Sequence, residues 1–192
     1  MRSLGAEHLD TLWTRGKLAV SLYGEGKFAQ AEQTLREVLN KQRVVLGAEH
    51  PNVLRNTSHL AVSLNGQCKH VEAEQILREV LDTQQVALGA EHPDTLWTTS
   101  HLAVSLNGQG RFAEAEKMQQ ELRGIQRRVL GAEHPNTLAT TGHLVVCLIS
   151  QGKHTEAEPI RRELLEAQQR VLGMAHPDTL ATASSLSELF SC

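Results

Sequence analysis

Large rings are scarce in this chain: two Trp, one Tyr and three Phe make up 3% of 192 residues. A core must therefore be built from Leu, Val, Ile and Ala. Cysteine is equally sparse. Cys68, Cys147 and Cys192 are odd in number and carry no metal-type spacing, which excludes a disulfide framework and a CxxC site and suits a reducing compartment. Basic excess is missing as well: the net charge is −3, which argues against a nucleic-acid partner. No apolar run approaches the roughly 18 residues of a membrane span, and the opening residues lack a signal-peptide core. These absences lead us to expect a cytoplasmic protein without membrane or nucleic-acid partners. Hydrophobic residues at 40% are nonetheless enough to build a core.

What the chain has is repetition. Leu-Gly, two residues and His recur at Leu4-Gly5, Leu46-Gly47, Leu88-Gly89, Leu130-Gly131 and Leu172-Gly173, with His8, His50, His92, His134 and His176 in step. The period is 42 residues, and Ala31-Glu32, Ala73-Glu74, Ala115-Glu116 and Ala157-Glu158 keep it. Four units at about 5–46, 47–88, 89–130 and 131–172 plus a half unit at 173–192 fill the chain as one repeat array over 1–192.

Each unit reads as two helices. Between about Asp94 and Asn107, Leu96, Leu102, Ala103 and Leu106 follow a 3.6-residue period. Gly108-Gln109-Gly110 interrupts it. From Phe112 to about Leu130 a second stripe runs through Ala115, Met118, Leu122, Ile125 and Val129, and Gly131 stops it. Pro93 then fits a first helical turn, and Asp94 complements the positive end of the helix dipole. No strand signal appears, so nine helices are expected. A lone helix from Pro177 to about Phe190, polar at Ser184, Ser185, Ser187 and Glu188, would cap the last pair. Pro159 is a local violation, tolerable if Thr155 is the N-cap of a capping box with Glu158 and otherwise a bend in that helix.

Leu102-Ala103, Gly110, Phe112 and Ala115 sit where a tetratricopeptide (TPR) helix pair places its signature residues. The chain resembles the TPR family, and its Leu-Gly-x-x-His-Pro-Asp/Asn-Thr connector and Glu-Ala-Glu motif resemble the long subclass of kinesin light chains. Similar long repeats also accompany nucleotide-binding innate-immunity-type ATPases. The resemblance implies an all-α solenoid of stacked antiparallel helix pairs in a right-handed superhelix. It also implies a non-catalytic scaffold that takes a protein or peptide in a concave groove lined by first helices. One departure matters: where relatives often carry Asn-Asn before Leu-Ala, this chain has Gly16-Lys17, Ser58-His59, Ser100-His101 and Gly142-His143.

At 100° per residue, Trp97, Ser100, Val104 and Asn107 share a face turned away from the Leu96/Ala103/Leu106 stripe. The equivalent sets are Trp13, Gly16, Val20 and Tyr23; Arg55, Ser58, Val62 and Asn65; Ala139, Gly142, Val146 and Ile149. Trp, Tyr and Arg dominate interface hot spots, which makes this face the candidate peptide-binding surface. The tryptophans equally fit a role wedged between helices, and both readings stand on sequence alone. His59, His101 and His143 would border the groove on a solvated edge, where imidazoles could make binding pH-sensitive between about pH 5 and 8. Connector histidines in separate units lie too far apart to share an ion, whose ligands sit about 2.0–2.1 Å away, so each should bond locally.

No metal, cofactor or catalytic site is implied. There is no phosphate loop and no nucleophile beside a base, and the recurring Glu pairs read as structural because an active site would occur once. Two alternatives remain open: a self-associating array, and a sensor segment excised from a larger ATPase.

Overall fold

The computed structural model describes residues 9–187, and within them every regular element is a helix. These are α1 (Leu9–Gly24), α2 (Phe28–Leu46), α3 (Pro51–Asn65), α4 (His70–Leu88), α5 (Pro93–Gly108), α6 (Phe112–Val129), α7 (Pro135–Ser150), α8 (His154–Val171) and α9 (Pro177–Ser187). The fold is all-α, and within each of its two parts consecutive helices pack on one another as in a TPR-like solenoid. The motifs at Leu4-Gly5 and His8, and the far end of the capping helix from Glu188 to Phe190, lie outside the described residues.

The chain divides into two compact units at the Gln109–Gly110 turn, inside the third helix pair and not at a repeat boundary. The first unit holds α1 to α5 and the second α6 to α9. In the first, Leu12, Leu35, Leu64, Leu77, Leu102 and Leu106 are completely enclosed. In the second, Leu144, Leu148 and Ala157 form one cluster, backed by Ile149 and Ile160. Leu138, Leu164 and Ala167 form another. Each fully buried Leu contributes roughly 1.5–3 kcal/mol.

The connector explains the start of each first helix. His50, His92 and His134 are N-caps in extended backbone, and each ring Nδ1 accepts a hydrogen bond from the backbone N–H two residues on, at 3.2 Å. Proline follows at the first helical position, where its missing N–H costs nothing. Thr95 and Thr137 then donate back to the connector carbonyls of Gly89 and Gly131 at 2.9 and 2.8 Å. The connector histidines thus act locally, one per helix.

Second helices begin differently. Their N-caps are Lys27, Lys69, Arg111 and Lys153, none with a capping side-chain bond. The capping box expected at Thr155 is therefore not formed: Lys153 is the cap, and Pro159 lies inside α8. The residue before each cap turns through positive φ as Gly26, Gly110 and Gly152, and also as Cys68 at φ 61°. A side chain in that region costs roughly 1–2 kcal/mol.

Candidate binding face

Helical phase places the expected residues on the first helices, and neighbouring helices decide which of them reach solvent. In the first unit, α1 carries Trp13 at 47% exposure, with Val20 and Tyr23 also exposed. Lys17 Nζ lies 3.6 Å above the Trp13 ring, a cation–π contact on the exposed indole. Tyr23 packs against Phe28 of α2 at 5.4 Å between centroids. Gly16 is buried beneath them, and a Cβ there would come within 3.2 Å of the Asn56 amide.

Arg55 of α3 is exposed and donates to Asn52 Oδ1 at 2.9 Å. Trp13, Lys17, Val20, Asn52, Arg55 and His59 frame a hollow of about 350 Å³ between α1 and α3. Lys17, Asn52 and Asn56 were not among the expected residues. The signal was available for Lys17, which occupies the repeat position of His59, His101 and His143.

Two expected surface residues are not on the surface. Ser58 is 1% and Val62 3% exposed. Ser58 is small enough for α5 to close over it, and its hydroxyl lies 3.2 Å from that of Thr98. Asn65 is half-buried and structural: its Nδ2 donates to Ser105 Oγ at 2.8 Å, and its Oδ1 faces His70 Nδ1 at 3.1 Å. Ser100, Val104 and Asn107 are half-buried, while Val146 of α7 in the second unit is exposed.

The two tryptophans have different surroundings. Trp97 is half-buried, with its ring between His59 at 4.9 Å and His101 at 4.1 Å. The His59 ring is consequently not on a solvated edge. Burial, reinforced by the nearby Arg55 charge, pulls its pKa down to about 4 despite the opposing pull of Asp94. Burial lowers His143 as well. A response between pH 5 and 8 cannot come from His59, which stays neutral across that window.

The recurring glutamates have a role their position did not reveal. Glu32, Glu74 and Glu116 are buried near the starts of second helices. Glu32 accepts from Gln67 and Lys69 at 2.6 and 3.0 Å, and Glu116 from Gln151 and Lys153 at 2.7 and 2.6 Å. Glu74 takes Gln109 at 2.7 Å. Each bond links a second helix to the turn of the next repeat, about 35 residues along. Hydrogen bonding from Lys153 holds the Glu116 carboxyl below its ordinary range. At Glu32 burial pushes upward, and the bonds from Lys69 and Gln67 with the Arg36 charge outweigh it.

Among the described residues no group of three His, Cys, Asp or Glu could hold a metal ion. No described helix is long and apolar enough to cross a membrane. Cys147 is buried, and its thiol is pushed up to about 11 by burial, then by the Glu116 charge.

A family model for the tetratricopeptide repeat matches residues 10–82, 52–122 and 94–159. No curated protein matches the chain. Among solved structures, a Podosopora anserina kinesin-light-chain-type protein with nearly identical TPR-like repeats is 27% identical, over 88% of this chain and 80% of that one. Its TM-score is 0.67, and a single-substitution variant of it gives 0.70 at the same identity and coverage. BtubC (BKLC) from P. vanneervenii is 20% identical over 90% of this chain and 69% of that one, with a TM-score of 0.74, a likeness of fold.

Proposed function

The chain belongs to the tetratricopeptide-repeat family, in its kinesin-light-chain-like form, and on that premise we propose that it is a non-catalytic scaffold whose α1–α3 face binds a protein segment. Repeats of this family serve as protein-interaction scaffolds. The observation that carries the finer reading is the hollow of about 350 Å³ framed by Trp13, Lys17, Val20, Asn52, Arg55 and His59. It joins an exposed indole, an exposed guanidinium and a side-chain amide within one short stretch of surface. Aromatic and Arg anchors of this kind supply most of the energy at interfaces, and the Asn52 amide can bond the backbone of an extended segment.

Tyr23 extends this face along α1, and Trp97 of α5 packs against His59 of α3, which lines the hollow. Ser58 and Val62 support the face from beneath and Asn65 ties α3 to α5, so substitutions there would act through the scaffold. Val146, Ser100, Val104 and Asn107 belong to the candidate set by repeat position.

A peptide-display selection on the full chain tests the reading, counter-screened against the Trp13→Ala/Arg55→Ala double variant. Both residues are exposed, so the variant should melt within about 1 kcal/mol of the parent. A motif enriched on the parent and lost on the variant supports the assignment. Enrichment that survives the double substitution would move the site elsewhere. Light scattering across a concentration range belongs beside it, because a self-associating array would mask its own face.

A further inference from the structure

The second unit contains a cavity of about 690 Å³ framed by α7, α8 and α9. Its lining repeats, residue for residue at a spacing of 84, that of a hollow of only about 130 Å³ in the first unit. Arg55, Ser58, His59, Gln84, Trp97 and Thr98 line the small one; Ala139, Gly142, His143, Gln168, Ala181 and Thr182 occupy their positions in the large one. Three exchanges open it. Ala181 stands where Trp97 places its indole against an imidazole at 4.9 Å. Gly142 replaces Ser58, whose hydroxyl meets Thr98 at 3.2 Å and closes the wall. Ala139 replaces the Arg55 side chain.

The first unit therefore displays what fills this place when the chain supplies it: an indole against a histidine ring. The second keeps the histidine and lacks the indole. The volume lies within the roughly 300–1,000 Å³ of small-molecule sites, whose walls are mostly apolar with a few polar groups; Leu138, Val145, Val146, Ile149 and Leu164 supply those walls.

We propose that this cavity is a binding site for a small bicyclic aromatic molecule of the indole class, its ring seated in the place that Ala181 leaves open beside His143. The ring meets the His143 imidazole in the tilted, edge-on manner in which Trp97 meets His59. The site lies wholly within the second unit and does not depend on the α1–α3 face.

Free indole titrated into the full chain, followed by NMR of ring-labelled histidine, tests this. The expected result is a saturable shift of the His143 resonances at millimolar concentration or below. Ala181→Trp supplies the missing ring and should weaken binding at least tenfold. Gly142→Ser restores the first unit's closure and should weaken it severalfold. Its Cβ meets only Leu164 Cδ2 at 3.7 Å, an ordinary contact, so it decides the matter should Ala181→Trp fail to fold. N-acetyl-tryptophanamide is run in parallel to separate a free molecule from a partner's side chain. Absence of a His143 shift up to the solubility limit of indole, unchanged affinity in a folded variant, or binding of the amide alone would overturn the proposal.

Discussion

The two units share a repeat register and differ in what they bury. At one second-helix position the first unit encloses Leu35 and Leu77, at 1% and 0% exposure, and the second encloses Gln119 and Arg161, at 0% and 2%. Neither polar atom of the Gln119 side chain has a hydrogen-bond partner among the described residues. The buried glutamine ladder follows the repeat and not the unit: Gln42 Oε1 accepts from Asn56 at 2.8 Å, whereas Gln84 in the first unit and Gln126 and Gln168 in the second find no donor, with threonine in the place of Asn56 in later repeats. Backbone punctuation therefore suffices to build the helix pair, and the filling of its interior sets how tightly it is held and what space it leaves.

The largest expected effect would erode the first unit's advantage. His59 titrates near 4 when folded and near its ordinary 6.5 when unfolded, so below pH 6.5 the unfolded chain binds a proton that the native chain refuses. Stability present above pH 6.5 should fall by up to about 3 kcal/mol as pH drops toward 4. Urea unfolding at pH 7.5 and 4.5 reads this, and His59→Gln should flatten it. Below about pH 4.5, protonation of Glu116 adds a second loss in the other unit as its Lys153 bond weakens.

Trp97→Ala should cost about 2–3 kcal/mol by emptying the space between two imidazoles, against less than about 0.5 kcal/mol for Trp13→Ala. Thermal melts of both variants decide whether the tryptophans differ as their surroundings require. An equal cost would remove the distinction between a packed and a presented indole.

Gln119→Leu should narrow the difference between the units by restoring the leucine of the earlier repeats. Removing two unmet polar atoms from a fully buried site should gain about 2 kcal/mol. Hydrogen exchange of α6 and α7 would show whether the gain is local to the second unit. The smallest effect lies in a turn. Cys68→Gly should gain about 1 kcal/mol by relieving a side chain at φ 61°, seen as a Tm rise of a few degrees.

Much of the fold was legible because the repeat multiplies each weak signal. Glycine after each second helix, proline after each connector histidine, and the Leu96/Leu102/Leu106 stripe located the helices to within a residue or two. The capping box expected at Thr155 does not form because α8, like every second helix, is capped two residues earlier in the repeat, on a lysine or arginine. The face was only partly legible. Helical phase grouped Ser58 and Val62 with Arg55, and no single helix reveals that α5 covers the first two and spares the third. Glu32 and Glu116 looked like helix-start acids because their partners, Lys69 and Lys153, lie 37 residues away in sequence.

The sequence by itself determined the helix pair, its period and its ends, because caps, turns and apolar stripes act over a few residues and recur every 42. Only the tertiary structure decided that Trp13 is presented while Trp97 is packed, that Ser58 is covered, and that Ala181 leaves a cavity. Exposure, and with it the chemistry a side chain can offer, depends on what the neighbouring repeat places against it.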